Sequence, residues 1–97
     1  MNEDLIIDCR TVKSRDGFWA AYVAVIPQDS ARDFGRNLDA LWDALDGGGP
    51  GWPGERTVRL QHFAALRRID RQLASGLEAI AAELAGSSLA PALVIED

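Results

Sequence analysis

The sequence predicts an α/β domain in which a three-stranded parallel sheet packs with about four helices. Three short apolar segments have the length and composition of buried strands, and the chain between them carries apolar residues at helical spacing. The elements follow the order strand, helix, helix, strand, helix, helix, strand, and each crossover is long enough for parallel pairing. No internal repeat or second domain is evident, so residues 1–97 are expected to form a single domain.

The three predicted strands are short and mostly apolar. The first is "LIID" (5–8), which is bounded by charged residues. The second lies in "TVRLQHF" (57–63), where Val58 and Leu60 alternate with polar neighbours, and the third is "ALVI" (92–95). Short apolar runs of this kind are typical of strands buried in a parallel sheet.

The first two helices lie between the first and second strands. Ser14 is a candidate N-cap of the first helix, which should end before Pro27. Its apolar positions are Phe18, Trp19, Ala21, Tyr22 and Val25.

The segment 27–36 has turn formers, charges and no sustained period, so a surface loop is expected there. Asn37 can cap the second helix, which should end at the glycine-rich stretch 46–55. Its core-facing stripe is Leu38, Leu41, Trp42 and Leu45.

Two further helices are predicted between the second and third strands. A short helix is expected over 63–69, and a longer one from about Asp70 to Ala85. The apolar face of the longer helix consists of Leu73, Leu77, Ile80 and Leu84. Gly86 and the two serines that follow it, Ser87 and Ser88, should end this helix.

Charge and composition restrict the partners and the compartment. The chain has 10 basic and 15 acidic residues, and its formal net charge of -5 disfavours nucleic-acid binding and favours a cationic partner. The longest apolar runs are too short to span a membrane, and the start of the chain does not resemble a secretory leader. Cys9 is the one cysteine, so no intrachain disulfide can form and the reducing cytoplasm is expected. We expect Cys9 to serve packing.

An acidic row occupies one flank of the second predicted helix. Asp39, Asp43 and Asp46 lie about 100 to 120° from the centre of the apolar stripe, and Trp42 lies between the acids and the core. Acids four residues apart repel by a few tenths of a kcal/mol, so the row is mildly unfavourable for the helix. From the spacing alone, the ordinary interpretation is a solvated helix face.

A catalytic or metal site would need more residues than this row supplies. The chain has one histidine, His62, and it has no HxxE, DxD or Cys/His cluster to complete a site. The sequence therefore predicts no enzyme, no catalytic residue, no metal and no cofactor. His62 lies where the second strand gives way to a helix, and we expect it to be structural.

The segment "FGRNLDALWDAL" (34–45) closely resembles the signature of the barstar family, small intracellular inhibitors of secreted guanyl-specific ribonucleases. The resemblance extends along the whole chain in the order of elements. It implies a three-stranded parallel sheet packed with four helices. It also implies that the second helix and the loop before it plug the ribonuclease active site, where their acids meet the cations that would otherwise hold an RNA phosphate.

The resemblance assigns expected roles to individual positions. Asp43 matches the dominant phosphate-mimicking acid of the family, and Asp39 matches its neighbour one turn earlier. Other positions that match expected contacts are Gly35, Asn37 and Trp42. Glu83 matches an outlying acid that reaches a basic residue of the enzyme. Asp46 shares the acidic flank and belongs to the expected partner-binding set, although the family gives it no named partner.

Two departures from the family pattern bear on the identity of the target. Asp33 stands where an aromatic residue of the family contacts the enzyme, and Phe34 follows it. The stretch 46–55 replaces a short aromatic-bearing turn and contains Trp52. We include Asp33, Phe34 and Trp52 in the expected partner-binding set. For Trp52 the alternative is that its side chain caps the core.

The expected function is inhibition of a secreted-type ribonuclease or ribonuclease toxin by a cytoplasmic protein that binds its target one-to-one. We expect this protein to be a monomer when free and to bind neither nucleic acid nor membrane. The alternative is a protein-interaction or regulatory module that keeps the fold but has a non-nuclease partner. A third possibility, a small metal-dependent hydrolase, would need a divalent ion at Asp39 and Asp43.

Overall fold

The computed structural model describes residues 4–54, 56–86 and 92–97. The strands are β1 (Leu5–Asp8), β2 (Val58–Gln61) and β3 (Leu93–Ile95), and the helices are α1 (Arg15–Val25), α2 (Gln28–Ala31), α3 (Leu38–Gly47), α4 (Phe63–Ile69) and α5 (Arg71–Ala85). A short 3-10 turn, Cys9–Thr11, follows β1. The predicted strands and four predicted helices are all present in the expected order. Glu55 of the glycine-rich stretch and the two serines predicted to end the last helix lie outside the described residues.

The sheet has the strand order β1-β2-β3, and both neighbouring pairs are parallel. Ile7 pairs in register with Leu60, and both side chains are buried. Ile6, the neighbour of Ile7 on β1, is 50% exposed because successive side chains of a strand point to opposite faces. Both crossovers step across the sheet in the same direction, so right-handed connections place the helices on one face. The predicted fold class is thus confirmed.

Aromatic rings from α1 form one side of the core. The ring centroids of Trp19 and Phe18 are 4.9 Å apart in an edge-on arrangement, and Trp19 also lies edge-on to Phe34 at 5.8 Å. Tyr22 packs against the same Phe34 ring at 5.2 Å. Such pairs add to the stabilisation that comes from burying their area. Val25, predicted on the apolar face of α1, is only half-buried.

The expectation that residues 27–36 form only a loop is wrong, because α2 lies within them. Pro27 precedes this single helical turn, and its carbonyl oxygen accepts a hydrogen bond from the Ala31 amide at 3.0 Å. The φ of Pro27, which its ring fixes, is -56° and suits a residue at the start of a helix. Residues 32–36 are exposed except for Phe34, whose side chain enters the core.

A bidentate ion pair joins the N-terminal ends of α1 and α5. The Nε and Nη2 atoms of Arg15 donate to Oδ2 and Oδ1 of Asp70 at 2.8 and 2.9 Å. The same carboxylate caps α5, since Oδ1 accepts a hydrogen bond from the Leu73 amide at 2.9 Å. The Arg15 guanidinium, followed by the Leu73 amide, lowers the pKa of Asp70 to about 2.

No helix among the described residues is both long enough and apolar enough to cross a membrane.

The buried position of Leu41 makes α3 a test of the core. Leu41 is 1% exposed, so Leu41→Ala should lower the free energy of unfolding by about 2 to 5 kcal/mol through lost burial and a residual cavity. Urea titration followed by circular dichroism measures this change. Leu38→Ala, at a half-buried position of the same helix, should cost less. A change below about 1 kcal/mol for Leu41→Ala would mean that the core face of α3 has been misplaced.

The Arg15–Asp70 pair predicts a pH-dependent loss of stability. Because the pKa of Asp70 falls from about 3.9 in an unfolded chain to about 2 in the folded one, its stabilisation is present above pH 4 and is lost as the pH falls towards 2. Asp70→Asn keeps a helix cap but removes the charge. Urea midpoints should therefore differ between parent and variant at pH 7 and converge between pH 4 and 2. A difference that stays constant over this range would contradict the assignment.

Candidate partner-binding surface

Helix α3, which carries the acidic row, has a fixed beginning and a fixed end. Its N-cap is Asn37, as predicted, whose Oδ1 accepts a hydrogen bond from the Ala40 amide at 2.8 Å. At the other end, Gly48 adopts a left-handed conformation with φ 75°, and its amide donates to the Ala44 carbonyl at 3.1 Å. These caps satisfy backbone groups that a helix end otherwise leaves open, so the helix holds its side chains in defined directions.

The two sides of α3 differ sharply in burial. Leu41, Ala44 and Leu45 are buried, whereas the three acids of the row, Asp39, Asp43 and Asp46, are exposed. Leu38 and Trp42, both predicted on the apolar stripe, are only half-buried and lie along its edge. Amphipathic helices of this kind pack one face against the core of their own domain and expose the other face to solvent.

Leu38 lies directly over a glycine of α5. A Cβ atom built on Gly76 would be 2.4 Å from Cδ1 of Leu38, a distance that no real contact allows. The absence of a side chain at Gly76 therefore lets α3 approach α5 closely. Leu38, Asp39 and Trp42 consequently share a shallow groove with Ala79, Ile80 and Glu83 of α5.

This groove brings together residues that are far apart in the sequence. Asp39 and Trp42 line its α3 side, and Glu83 lines its α5 side. The expected outlying acid is therefore on the same surface as the acidic row. A partner that covered α3 would have Glu83 within its reach.

The acids of this surface have no cation to neutralise them among the described residues. Asp33, Asp39, Asp43, Asp46 and Glu83 are exposed, and none forms an ion pair with a described cation. Elsewhere, the described acids that do form ion pairs are Asp4, Asp8, Asp29, Asp70, Glu78, Glu96 and Asp97. Unpaired negative charge is thus concentrated on and beside α3, where it is available to a cation from outside.

The approach to α3 depends on a glycine and a strained arginine. A Cβ atom on Gly35 would be 3.1 Å from Cβ of Ala40, which is tighter than most real contacts. The Gly35 carbonyl accepts a hydrogen bond from Nδ2 of Asn37 at 3.2 Å. Between them, Arg36 has a φ of 54°, in the left-handed region that L-residues with a Cβ disfavour. Gly35 and Asn37 thus shape the approach besides lying exposed on the expected surface.

Phe34 does not lie where it was expected. It was predicted to contact the partner, but its side chain is 6% exposed and packs between Trp19 and Tyr22. Burial of a large aromatic ring is strongly favourable, and the rings of Trp19 and Tyr22 provide an aromatic contact surface for it. Phe34 therefore anchors the approach to α3 in the core, while its neighbours Asp33 and Gly35 are exposed to solvent.

The glycine-rich stretch after α3 is fastened to the same part of the core. The Gly51 amide donates to the Ser30 carbonyl at 2.8 Å, and the Gly51 carbonyl accepts from the Tyr22 hydroxyl, also at 2.8 Å. Burial raises the pKa of this hydroxyl, so it remains a donor well above neutral pH. A Cβ atom on Gly51 would be 2.3 Å from Cδ1 of Phe34, and the φ of Gly51 is 95°. Only glycine fits this position.

Trp52 lies between two anchored residues and remains at the surface. Gly51 and Pro53 on either side of it are buried, whereas Trp52 itself is 40% exposed. An indole that capped the core would be expected to lie largely out of solvent, so this exposure argues against that alternative. Contact between Trp52 and a partner stays a prediction.

The remaining candidates for chemistry take structural positions. His62 is exposed at the β2–α4 junction with a φ of 55°, and it makes the turn from strand to helix. Cys9 is fully buried, and burial raises the pKa of its thiol to about 11, so it is held as the unreactive thiol. In the part of the chain that the structure describes, no three His, Cys, Asp or Glu residues come together in a group that could hold a metal ion.

Comparison with known protein families gives one match that covers this surface. A family model described as "Barstar (barnase inhibitor)" matches residues 2–92, a span that includes all five helices and the groove between α3 and α5. Comparison with curated proteins gives no match. Members of the matched family are inhibitors rather than enzymes. Since the match spans nearly the whole sequence and includes the capped acidic helix, the chain belongs to the barstar family.

Proposed function

We propose that this chain inhibits a barnase-like ribonuclease, or a ribonuclease toxin, by laying α3 and the approach residues 33–37 over the enzyme's active site. Membership of the barstar family implies a ribonuclease of this kind as the partner. The observation that carries the proposal is the row of unpaired carboxylates, Asp39 and Asp43 above all, on a helix that is capped at both ends.

Within this proposal the carboxylates stand in for the substrate. A ribonuclease holds an RNA phosphate with cationic side chains, and a carboxylate offers the same charge and acceptor oxygens to them. Asp43 takes the central place and Asp39 the place one turn earlier, while Glu83 reaches a cation further out. Charge pairs of this kind are worth several kcal/mol in the barnase–barstar complex, so that magnitude comes from the family's own example and not from this structure.

The long-range field of the chain supports a cationic partner. The net charge is -5, and the unpaired acids are gathered on one face, so a basic enzyme would be attracted and oriented before contact. Salt would weaken this attraction. In this role residues 1–97 form a single domain that acts in the cytoplasm, is monomeric when free, and binds its ribonuclease one-to-one without binding nucleic acid or membrane.

A second candidate is a module of the same fold with a non-nuclease partner. It is favoured by the carboxylate of Asp33 in the approach and by the exposed indole of Trp52 after α3, neither of which matches the family pattern. Affinity capture with the parent chain and with Asp43→Ala separates the two candidates. Recovery of a non-nuclease partner that Asp43→Ala fails to capture would favour this second candidate.

Inhibition of RNA cleavage tests the leading proposal directly. The purified chain should reduce cleavage by a guanyl-specific ribonuclease from the same genome, and inhibition should be complete near one equivalent because one α3 surface covers one active site. A fluorogenic RNA substrate gives the rate during titration. Unchanged cleavage with every such enzyme encoded there would reject the proposal.

Asp43→Ala should separate binding from stability. Because Asp43 is exposed within a repulsive row and towards the negative end of α3, its removal should leave the melting temperature unchanged or slightly raise it. Inhibition should weaken by at least about tenfold, since the partner's cations lose their carboxylate. Thermal melts and inhibition titrations measure the two effects.

The matched control is Asp16→Ala. Asp16 is also exposed and forms no ion pair with a described cation, but it lies in the first turn of α1, where an acid favours the helix. Its removal should lower stability slightly and change inhibition by less than about twofold. A large fall in melting temperature for Asp43→Ala would instead make Asp43 a structural residue.

A further inference from the structure

The acidic surface has a cation at its edge that the inhibitory mechanism does not use. Arg36 is exposed, directly precedes the N-cap of α3, and forms no ion pair with a described carboxylate. Several other arginines do form such pairs: Arg10, Arg15, Arg32, Arg59 and Arg67. The guanidinium of Arg36 is therefore available to a group from outside the chain.

Arg36 lies at the boundary between two hollows of different character. It lines one hollow at the start of α3 together with Asp39 and with Arg15, whose guanidinium is already paired with Asp70. It lines a second hollow together with Arg32 and Gln28. No carboxylate of the described residues lines the second hollow. Arg36 thus lies between the unpaired carboxylate of Asp39 on one side and the guanidinium of Arg32 on the other.

Arg32 adds to the positive side. Its Nη2 atom is 3.9 Å from Oδ1 of Asp29, and the two side chains are 77% and 100% exposed. A pair at this distance and exposure contributes little, so Arg32 is free to turn towards another carboxylate. The second hollow therefore has two guanidinium groups, of Arg32 and Arg36, and neither forms a strong ion pair with a described carboxylate.

A ribonuclease that was basic over its whole contact face would meet Asp39 favourably and Arg36 unfavourably. Like charges placed together in an interface oppose binding, and proteins use such repulsion to exclude wrong partners. A guanidinium has planar paired donors that match a carboxylate, so an acidic side chain is the complementary group.

We propose that Arg36, with Arg32 beside it, is a specificity-determining residue that receives a carboxylate of the cognate ribonuclease at the rim of its cationic cleft. This proposal rests on the proposed inhibitory function. The cognate enzyme then has cations opposite Asp39 and Asp43 and an aspartate or glutamate opposite Arg36. Enzymes with a lysine or arginine at that rim are bound more weakly.

Reversing the charge of Arg36 tests its proposed pairing with an enzyme carboxylate, because the pairing predicts that inhibition becomes weaker although the net negative charge of the chain increases. The probe is the guanyl-specific ribonuclease that the parent chain inhibits most strongly, and the variants are Arg36→Glu, Arg36→Ala and Arg36→Lys. The control, Arg68→Glu, makes the same change in net charge at an exposed residue of α4 that lines neither hollow. Inhibition constants are measured at low and moderate salt, and thermal melts confirm folding.

The pairing predicts that Arg36→Glu weakens inhibition at least tenfold, that Arg36→Ala weakens it less, and that Arg36→Lys stays closest to the parent. Arg68→Glu should leave inhibition unchanged or improve it, because it adds negative charge without touching the rim. A lysine in place of a rim aspartate or glutamate of the enzyme should restore inhibition by Arg36→Glu, and this rescue identifies the carboxylate.

The other outcomes each overturn a stated claim. Inhibition by Arg36→Glu that equals or exceeds inhibition by Arg68→Glu rejects the pairing and leaves the inhibitory function standing. Failure of the parent chain to inhibit any such ribonuclease rejects that function and the pairing with it. If Arg36→Glu unfolds, Arg36→Ala and Arg32→Glu provide the same comparison, and inhibition by both at the parent's level rejects the pairing.

Discussion

The burial of the Phe34 ring is the constraint on which the proposed surface depends. Trp19 and Tyr22 hold the ring from α1, and Gly51 lies so close to it that no side chain fits there. Phe34 belongs to the approach before α3, and Gly51 to the stretch after it. A single ring therefore fixes both segments that flank the acidic helix, and the Tyr22 hydroxyl adds a hydrogen bond to the second segment.

The acidic helix shows how local instability can coexist with a stable fold. No described cation pairs with the row of acids, and the acids repel one another weakly. Only Asp39, in the first turn, is favoured by the helix dipole. The stability of α3 comes instead from its buried side, its Asn37 cap and its close packing on Gly76. Because the buried side of α3 stabilises the fold and the exposed side carries the acids, the exposed charges can change with little effect on folding.

Sequence patterns predicted the elements well where a single periodicity decided the structure. The N-caps Ser14 and Asn37 were placed correctly because a side-chain oxygen before an apolar period is a local signal. The turn α2 was missed, since one helical turn is too short to show a period. Phe34 was placed on the surface because its burial depends on Tyr22 and Gly51, which are distant in sequence and leave no local trace.

The candidate site divides in the same way. Asp39 and Asp43 could be placed on one flank from helical geometry and given a role by the family motif, but that Glu83 joins them depends on how α3 meets α5. Arg36 gave no signal, because a charged residue in a loop is ordinary until its unpaired state and its left-handed backbone are seen. Such features arise from tertiary structure and cannot be read from spacing.

In the anchored stretch after α3, the residues that fix the path of the chain differ from the residue whose side chain is exposed. Gly51 is held through backbone atoms and Pro53 is buried, whereas the Trp52 side chain between them belongs to neither anchor. Position 52 can therefore be exchanged for other residues while the path of the chain stays the same. If Trp52 makes the proposed contact with a partner, a substitution at this single position would alter recognition and leave the acidic helix intact.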